Sequence, residues 1–440
     1  NQTIYLKEGC IATAFSWVLL SIFGCMPFVI SGEIPSFTNA LFETVSGLTT
    51  TGASILSDVE AMSHGMMLWR CFTHWIGGMG VLVFLLAIIP MNSASGSNMN
   101  LMKAESPGPS VGKLVPRLKH TARILYAIYF AMTLLEVVLL LFGRMSLFDA
   151  FCTAFGTAGT GGFGIKNDSF ASFSPYIQWV VTIFMMLFGV NFNFYYYILY
   201  RNVKKALSME EVRTYFLIIL GAIGIIFVNL MQTMSNAWDA LRHASFQVAS
   251  IITTTGYASA DFDQWTQTCK TVLVILMFIG ACAGSTGGGM KVSRLIIMFK
   301  TVLKELGSYF HPKNIKKIKM DGKPVEHEVV RAVNVYFITI MGIFTVSVFL
   351  VSFEGRDLVT NFTAVAACLN NIGPGLSQVG PTQNFGMLTG FSKYVLMFDM
   401  LAGRLELFPL LLIFNPGVYR DMIMGAVRYV KRKIAARRVS

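Results

Sequence analysis

The chain has 440 residues, of which 54% are hydrophobic and 13% are charged, and its formal net charge at pH 7 is +12. A soluble domain carries about a quarter charged residues, so this composition excludes a soluble globular protein and indicates a polytopic helical membrane protein. The basic residues lie mainly between apolar segments and no nucleic-acid recognition motif occurs, so we expect no nucleic-acid partner.

Apolar segments long enough to cross a bilayer as helices recur along the whole sequence. They fall near residues 10–31, 64–90, 123–143, 175–200, 212–232, 268–300, 328–353 and 391–414. These eight predicted spans form four pairs, and a shorter segment of mixed polarity lies within each pair. The short segments occupy residues 36–58, 146–170, 238–262 and 357–380. Each is too short or too polar to span, so we predict four pore loops that enter the membrane and return.

The four short segments are copies of one motif. NALFETVSGLTTTGAS (39–54) matches HASFQVASIITTTGYA (243–258) in register, and DAFCTAFGTAGTGGFG (149–164) and TNFTAVAACLNNIGPG (360–375) align on the same glycine. The equivalent glycines are Gly52, Gly162, Gly256 and Gly373. One TTTG alone is most simply a helix-terminating turn. Four registered copies, each between two spans, predict an internal repeat.

The predicted repeats cover residues 1–95, 96–205, 206–310 and 311–440, the last including a basic cytoplasmic tail. Each repeat consists of a first span M1, a pore loop and a second span M2, and all four run in the same direction through the membrane. The predicted fold class is therefore an all-α polytopic membrane protein, with four parallel M1–pore loop–M2 repeats around a pseudo-fourfold pore.

Lysine and arginine concentrate in the intervals between pairs and at the termini, which places these parts in the cytoplasm and the pore loops outside. The segment KNIKKIKMDGK (313–323) is accordingly a predicted cytoplasmic loop, suited to contact with anionic lipid or to docking of a partner.

Irregular backbone at membrane depth is tolerated only where it is buried in protein or lines an aqueous cavity, and four equivalent loops can meet this condition by surrounding one axis. Their carbonyl oxygens would then replace the hydration shell of a cation. No carboxylate lies within three residues of the four glycines, so neutral oxygens would select a monovalent, weakly hydrated cation. The predicted filter residues are Thr50, Thr51, Gly52, Thr160, Gly161, Gly162, Thr254, Thr255, Gly256, Asn371, Ile372 and Gly373.

The second span of the third repeat is the only one that the sequence predicts to be broken. GACAGSTGGG (280–289) is too rich in glycine for a straight helix and does not fit a nucleotide-binding P-loop. It predicts either a packing kink or an unwound loop that blocks the pore below the filter. The residues of this predicted gate are Gly284, Ser285, Thr286, Gly287, Gly288 and Gly289, with Lys291 directly after them.

Arg404 is an ionisable residue within the last predicted span, which makes it a candidate functional residue. It either contributes a positive charge to the pore below the filter or forms a structural ion pair with Asp399 or Glu406. For Arg70 and Asp399 we expect packing or interfacial roles, and for His74 a packing role.

The order span–pore loop–span, four times in one chain, resembles the superfamily of potassium transporters that comprises TrkH, TrkG, KtrB and the plant HKT proteins. Several stretches are similar to TrkH and TrkG in particular: SGLTTTGA (46–53), WIGGMGVLV (75–83), KAESPGP (103–109), GACAGSTGGGMKV (280–292), LNNIGPGL (369–376) and GRLELFPLL (403–411). TrkH-type proteins usually carry two further spans before the first repeat, whereas this sequence begins almost at the first repeat, as KtrB does. It is therefore either a trimmed chain or a shorter, KtrB-like member.

This resemblance implies K⁺ as the transported ion, bound at the filter residues, with no organic cofactor in this chain and no enzymatic activity. It also implies a gate formed by the glycine loop, Lys291 and Arg404. As partners it implies a second copy in a homodimer, membrane lipid and a cytoplasmic TrkA-type ring that responds to NAD(H) or ATP. The expected location is the bacterial plasma (inner) membrane, with both termini cytoplasmic.

The expected activity is passive or cation-coupled K⁺ uptake, and KtrB-like Na⁺-dependent uptake is the alternative within the class. A membrane enzyme is disfavoured because the spans carry too few His, Asp and Glu residues to converge at one depth. An alternating-access solute carrier is disfavoured because such carriers usually show inverted repeats with broken helices in both halves.

Overall fold

The computed structural model describes residues 6–80, 118–310, 317–405 and 407–417. Within these ranges the chain is mainly helical, and the one sheet pairs two short antiparallel strands. In the described part of the chain, four helices are long and apolar enough to cross a membrane: Gly9–Ser31, Arg123–Phe142, Glu210–Leu230 and His327–Glu354. The bent pair Pro175–Phe188 and Phe192–Leu199 makes a fifth if the two helices form one span. This confirms the predicted class of a multi-pass helical membrane protein.

The described elements follow one order four times: a long helix, a short helix, an extended stretch and a further helix. The first unit contains α1 (Leu6–Ser31), α2 (Phe37–Leu48) and α3 (His64–Gly78). The second contains α4 (Leu118–Phe142), α5 (Leu147–Gly159), α6 (Pro175–Phe188), α7 (Phe192–Leu199) and α8 (Val203–Leu207).

The third unit contains α9 (Glu210–Leu230), α10 (Ala237–Ile252), α11 (Gln267–Ile279) and α12 (Val292–Phe310). A hairpin of β1 (Lys319–Met320) and β2 (Lys323–Pro324) precedes the fourth unit. That unit contains α13 (His327–Val351), α14 (Leu358–Leu369), α15 (Gly390–Arg404) and α16 (Leu407–Leu412). Single 3₁₀ turns lie at Phe262–Gln264, Ser352–Glu354, Ser377–Val379 and Phe385–Met387.

The prediction that only the third repeat has a broken second span is wrong. In the second unit, α6 and α7 are separated by three residues and bent by 89°. The bend leaves the carbonyls of Phe188 and Gly189 without helical partners, and the third unit supplies them. The Cys282 N–H donates to the Gly189 carbonyl at 3.1 Å, and the Thr286 hydroxyl donates to the Phe188 carbonyl at 3.2 Å. A tertiary contact therefore satisfies backbone groups that an unbroken helix would pair internally.

The long helices expose apolar side chains on their outer faces, as a surface in contact with lipid requires. Phe23 and Ile30 on α1, Phe142 on α4 and Leu217 on α9 are more than two-thirds exposed. The short helices are instead enclosed by the long ones, and the second halves of α2, α5, α10 and α14 are buried. The predicted pore-loop helices thus lie inside the bundle and the long helices outside.

The segment KAESPGP (103–109), residues 313–316 of the basic segment 313–323, and the tail from 418 onward lie outside the described residues, as does Glu406.

Candidate functional site

All four short helices end in the same way. In each, one residue with a left-handed backbone follows the last turn: Thr50 (φ 55°), Thr160 (φ 53°), Thr254 (φ 59°) and Asn371 (φ 55°). The N–H of this residue donates to the carbonyl three residues earlier, and the N–H of the next residue donates to the carbonyl five residues earlier. In the first copy, Thr50 donates to Gly47 at 3.1 Å and Thr51 donates to Ser46 at 2.8 Å. This is the Schellman arrangement, in which glycine usually occupies the left-handed position. Here threonine or asparagine occupies it four times.

Two residues later, each copy places a glycine in the left-handed region, with φ between 78° and 99° at Gly52, Gly162, Gly256 and Gly373. These glycines contact one another's segments in cyclic order. A Cβ on Gly52 would lie 2.0 Å from the Gly161 carbonyl oxygen, and a Cβ on Gly162 would lie 1.8 Å from that of Thr255.

The cycle continues through the third and fourth copies. A Cβ on Gly256 would lie 2.0 Å from the Ile372 carbonyl oxygen, and a Cβ on Gly373 would lie 2.7 Å from that of Thr51. Each contact joins a glycine to the residue just before the equivalent glycine of the next copy. The four segments therefore form one closed ring, and all four glycines line a single cavity of about 120 Å³.

The backbone of the ring has free acceptor capacity. Thr50, Thr51, Thr254 and Thr255 are fully buried, as are Thr160, Asn371 and Ile372. Across the described residues, no hydrogen bond ends on the carbonyl oxygens of 50–52, 160–162, 254–256 or 371–373. Buried carbonyls normally have a partner, so these oxygens are available to a ligand that accepts electron pairs.

The glycine-rich segment 280–289 is an irregular loop between α11 and α12, and it lies against the ring. The Gly288 N–H donates to the Thr254 hydroxyl at 2.7 Å. A Cβ on Gly288 would lie 2.8 Å from the Cβ of Asn371 and 3.0 Å from the Asn370 carbonyl. The absence of side chains thus lets the loop approach two of the four ring segments.

Arg404 connects the same loop to the first unit. Its guanidinium donates to the Thr286 carbonyl at 2.7 Å and to the Gly78 carbonyl at 2.6 Å, and it also contacts the Gly77 carbonyl. Of the two carboxylates considered as partners from the sequence, Asp399 accepts from the Ser347 hydroxyl at 2.7 Å, and Glu406 lies outside the described residues. Lys291 has a left-handed backbone (φ 76°), and its ammonium donates to the Gly287 carbonyl of its own loop.

A buried ion pair supports the ring from behind the first segment. Arg70 Nε lies 2.6 Å from Glu43 Oε1, and both side chains are almost fully buried. The guanidinium also donates to the Gly164 carbonyl at 3.0 Å and stacks 3.7 Å from the Phe163 ring centre, so it joins the first unit to the second. Sequence analysis assigned Arg70 only a packing or interfacial role, and it did not single out Glu43 on α2.

His74 makes a second connection between the same units. Its Nδ1 lies 2.8 Å from the Gly47 carbonyl, and its Nε2 accepts from the Phe163 N–H at 3.1 Å. These partners fix the tautomer with the proton on Nδ1. The packing role expected for His74 therefore includes two specific hydrogen bonds.

Comparison with known proteins adds the family. The family model described as TrkH, cation transport protein, matches residues 1–423. The Trk system potassium uptake protein TrkH of Salmonella typhimurium is 35% identical over 94% of this chain and 86% of its own length. The corresponding protein TrkG of Escherichia coli is 33% identical, again over 94% of this chain and 86% of its own length.

The fold agrees with these matches. The crystal structure of the potassium transporter TrkH from Vibrio parahaemolyticus superposes with a TM-score of 0.83 at 32% identity, covering 94% of this chain and 86% of that one. The resemblance inferred from the motifs is thereby confirmed: this chain belongs to the TrkH family of cation transport proteins.

Proposed function

We propose that this chain is the membrane subunit of a potassium-uptake system and conducts K⁺ through the ring of four glycine segments. The single observation that carries the proposal is the cyclic contact of Gly52, Gly162, Gly256 and Gly373, each with the carbonyl before the equivalent glycine of the next copy. A closed ring of peptide oxygens can replace the water around a dehydrated cation.

The chemistry of the ring favours K⁺ among the common ions. The oxygens come from peptide carbonyls and threonine hydroxyls, which are neutral and hold a large, weakly hydrated monovalent cation better than a divalent one. Among the described residues that line the cavity, Arg70 and Lys166 are the charged ones. The charge of Arg70 is balanced by its ion pair with Glu43. The names of the matching relatives, which are potassium uptake proteins, point to the same ion.

The loop 280–289 is the proposed gate, with Lys291 and Arg404 as its supports. Its contact with Thr254 and its approach to Asn371 support this role, because both residues belong to the ring that the ion would leave. Arg404 adds a positive charge at the same level, which raises the electrostatic barrier for a cation. Movement of the loop and release of the Arg404 contacts would open the path.

The remaining parts of the proposal follow from the family and from the positive-inside rule. They are a homodimer, a cytoplasmic TrkA-type nucleotide-binding ring, and insertion in the bacterial inner membrane with both termini cytoplasmic.

The test is ⁸⁶Rb⁺ uptake into proteoliposomes that contain the purified chain, with the proton gradient clamped. Uptake that unlabelled K⁺ abolishes and that equimolar Na⁺ leaves largely intact supports the proposal. Uptake that requires added Na⁺ would instead favour the KtrB-like mode. Absence of any Rb⁺ flux above that of empty vesicles, in a preparation that retains the fold, would refute the assignment.

A further inference from the structure

Glu211, in the first turn of α9, is a buried carboxylate that touches both ends of the glycine loop. It is 4% exposed. Its Oε1 accepts from the Ala283 N–H at 2.6 Å and from the Ser293 N–H at 3.1 Å. Ala283 immediately precedes the stretch Gly284–Gly289, and Ser293 follows this stretch in the first turn of α12, so one oxygen bonds to both flanks of the stretch.

The other carboxylate oxygen of Glu211 extends this contact to the break in the second unit. Asn191 lies between α6 and α7, and its side-chain amide approaches Oε2 at 3.4 Å. The neighbouring Phe192 N–H donates to the Gly284 carbonyl at 3.0 Å. Glu211 therefore lies where the broken M2 segments of the second and third units meet.

Other hydrogen bonds also hold the loop, among them those of Thr286, Gly288 and Arg404, and Glu211 differs from them in bonding to backbone on both sides of Gly284–Gly289. The neck of the loop is closed by one backbone hydrogen bond, from the Val292 N–H to the Ala281 carbonyl at 3.0 Å. Five of the ten residues 280–289 are glycines, which restrict the backbone least of all residues. Hydrogen bonds to a charged acceptor are stronger than those to a neutral one, so the Glu211 carboxylate contributes more than an amide could.

We infer that Glu211 is a positioning residue that fixes the glycine loop against the ring. This inference rests on the proposed gate function of the loop and assigns to it a support that lies outside the loop itself. A competing explanation is that Glu211 only complements the N-terminal dipole of α9.

Glu210 separates these explanations and serves as the matched control. It carries the same charge in the same helical turn, but it is only partly buried and pairs with Lys300 at 2.5 Å. A dipole effect predicts similar results for Glu210→Gln and Glu211→Gln. A positioning role predicts an effect of the second substitution alone.

The experiment uses the full chain in proteoliposomes, as wild type, Glu211→Gln, Glu211→Asp and Glu210→Gln. One readout is basal ⁸⁶Rb⁺ efflux. The other is alkylation of Cys282 by N-ethylmaleimide, quantified on the peptide by mass spectrometry, because this fully buried thiol lies in the neck of the loop. For Glu211→Gln we expect both readouts to rise about tenfold, equivalent to about 1.4 kcal/mol. Glu211→Asp should be intermediate and Glu210→Gln unchanged.

Each outcome has a separate meaning. Unchanged Cys282 alkylation in Glu211→Gln, or an equal rise in Glu210→Gln, overturns the positioning role. Increased alkylation without increased efflux upholds the positioning role but refutes the gate function of the loop. If Glu211→Gln does not yield folded protein, Glu211→Asp decides, since its shorter carboxylate cannot hold both flanks and alkylation at the wild-type rate would refute the inference.

Discussion

The α-carbon of Gly373 faces the carbonyl oxygen of Thr51, so the last glycine segment in the chain closes the ring on the first. These two residues are separated by more than three hundred positions, and a Cβ on Gly373 would lie 2.7 Å from that oxygen. The proposed filter is therefore a tertiary structure in which each segment requires the absence of a side chain on its neighbour.

Gly52→Ala should disrupt the ring. Its Cβ would lie 2.0 Å from the Gly161 carbonyl oxygen at a φ of +81°, so both contact and backbone must change. We expect discrimination of K⁺ from Na⁺ to fall by about tenfold or more, equivalent to about 1.4 kcal/mol, in Rb⁺ uptake competed by Na⁺. Gly32→Ala is the matched control, because Gly32 has a φ of +77° but no atom within 4 Å. Equal selectivity in the two variants would argue against the filter assignment.

Deletion of Gly287–Gly289 should raise the basal cation flux. The shortened loop loses the Gly288 N–H bond to Thr254 and cannot span the same distance beneath the ring. The flux is measured as ⁸⁶Rb⁺ efflux from proteoliposomes in the absence of any cytoplasmic partner. Basal flux equal to that of the wild type would mean that the loop does not obstruct the path.

Arg404→Ala should also raise basal flux, by roughly tenfold if the lost contacts are worth about 1.4 kcal/mol. It removes the donors to Thr286 and Gly78 and one positive charge. Arg404→Lys keeps the charge but lacks the guanidinium fork, so a partial increase would assign part of the effect to geometry. Arg213→Ala removes an exposed charge from α9 and should leave flux unchanged. If Arg404→Ala leaves basal flux unchanged, Arg404 has a structural role only.

Asp357 gives a pH-dependent stability prediction. Its carboxylate caps α14 by accepting from the Thr360 N–H at 3.1 Å and the Thr360 hydroxyl at 2.5 Å. The hydrogen bond from the Thr360 side chain is the main reason that the pKa of Asp357 is lowered. A lowered pKa stabilises the folded state above the ordinary pKa, about 4, and this contribution disappears as pH falls through the folded-state value.

Asp357→Ala should therefore destabilise the protein by about 1 kcal/mol at neutral pH, which is typical of losing an N-cap. The difference in apparent melting temperature between the variant and the wild type should be constant from pH 6 to 8 and shrink below pH 4. A difference that grows on acidification would contradict the assigned sign.

The ring segments could be predicted from the sequence because each copy repeats the same local backbone pattern. A helix must end, one residue must adopt a left-handed backbone, and a glycine must follow two positions later. The left-handed position is occupied by threonine in three copies and by asparagine in the fourth. All four adopt the left-handed backbone in the ring, although glycine is the usual residue there. Their role as ion ligands stays a prediction.

The contacts between units could not be predicted from the sequence. The bend at Gly189 depends on donors from Cys282 and Thr286, almost a hundred residues away, and the local sequence resembles an unbroken apolar span. Arg404 was weighed against nearby carboxylates because these are the usual partners of a buried guanidinium. Its bonds to carbonyls of α3 and the loop arise only once the four units surround a common axis. Glu211 carried a weak signal, as an acid at the start of an otherwise apolar span.

The ion pair of Glu43 and Arg70 breaks the symmetry of the four copies, since Gln247 stands at the position of Glu43 in the third copy. Removing one member of a buried pair typically costs about 3–5 kcal/mol, because the other charge is left uncompensated. Arg70→Met also removes the donor to Gly164 and the stacking on Phe163, so we expect a large fall in apparent melting temperature and a loss of selectivity.

The double variant Glu43→Gln/Arg70→Met removes both charges and should recover part of the lost stability, although not the connection between the first two units. The partly exposed pair of Arg242 and Asp239, 2.6 Å apart on α10, is the control, and its loss should cost no more than about 1 kcal/mol. If Arg70→Met and Arg242→Met lower the melting temperature equally, the pair behind the first segment is not a main support. If the double variant regains stability but not K⁺ selectivity, the guanidinium is needed to hold Gly164 and Phe163, and with them the adjacent ring segment, in place.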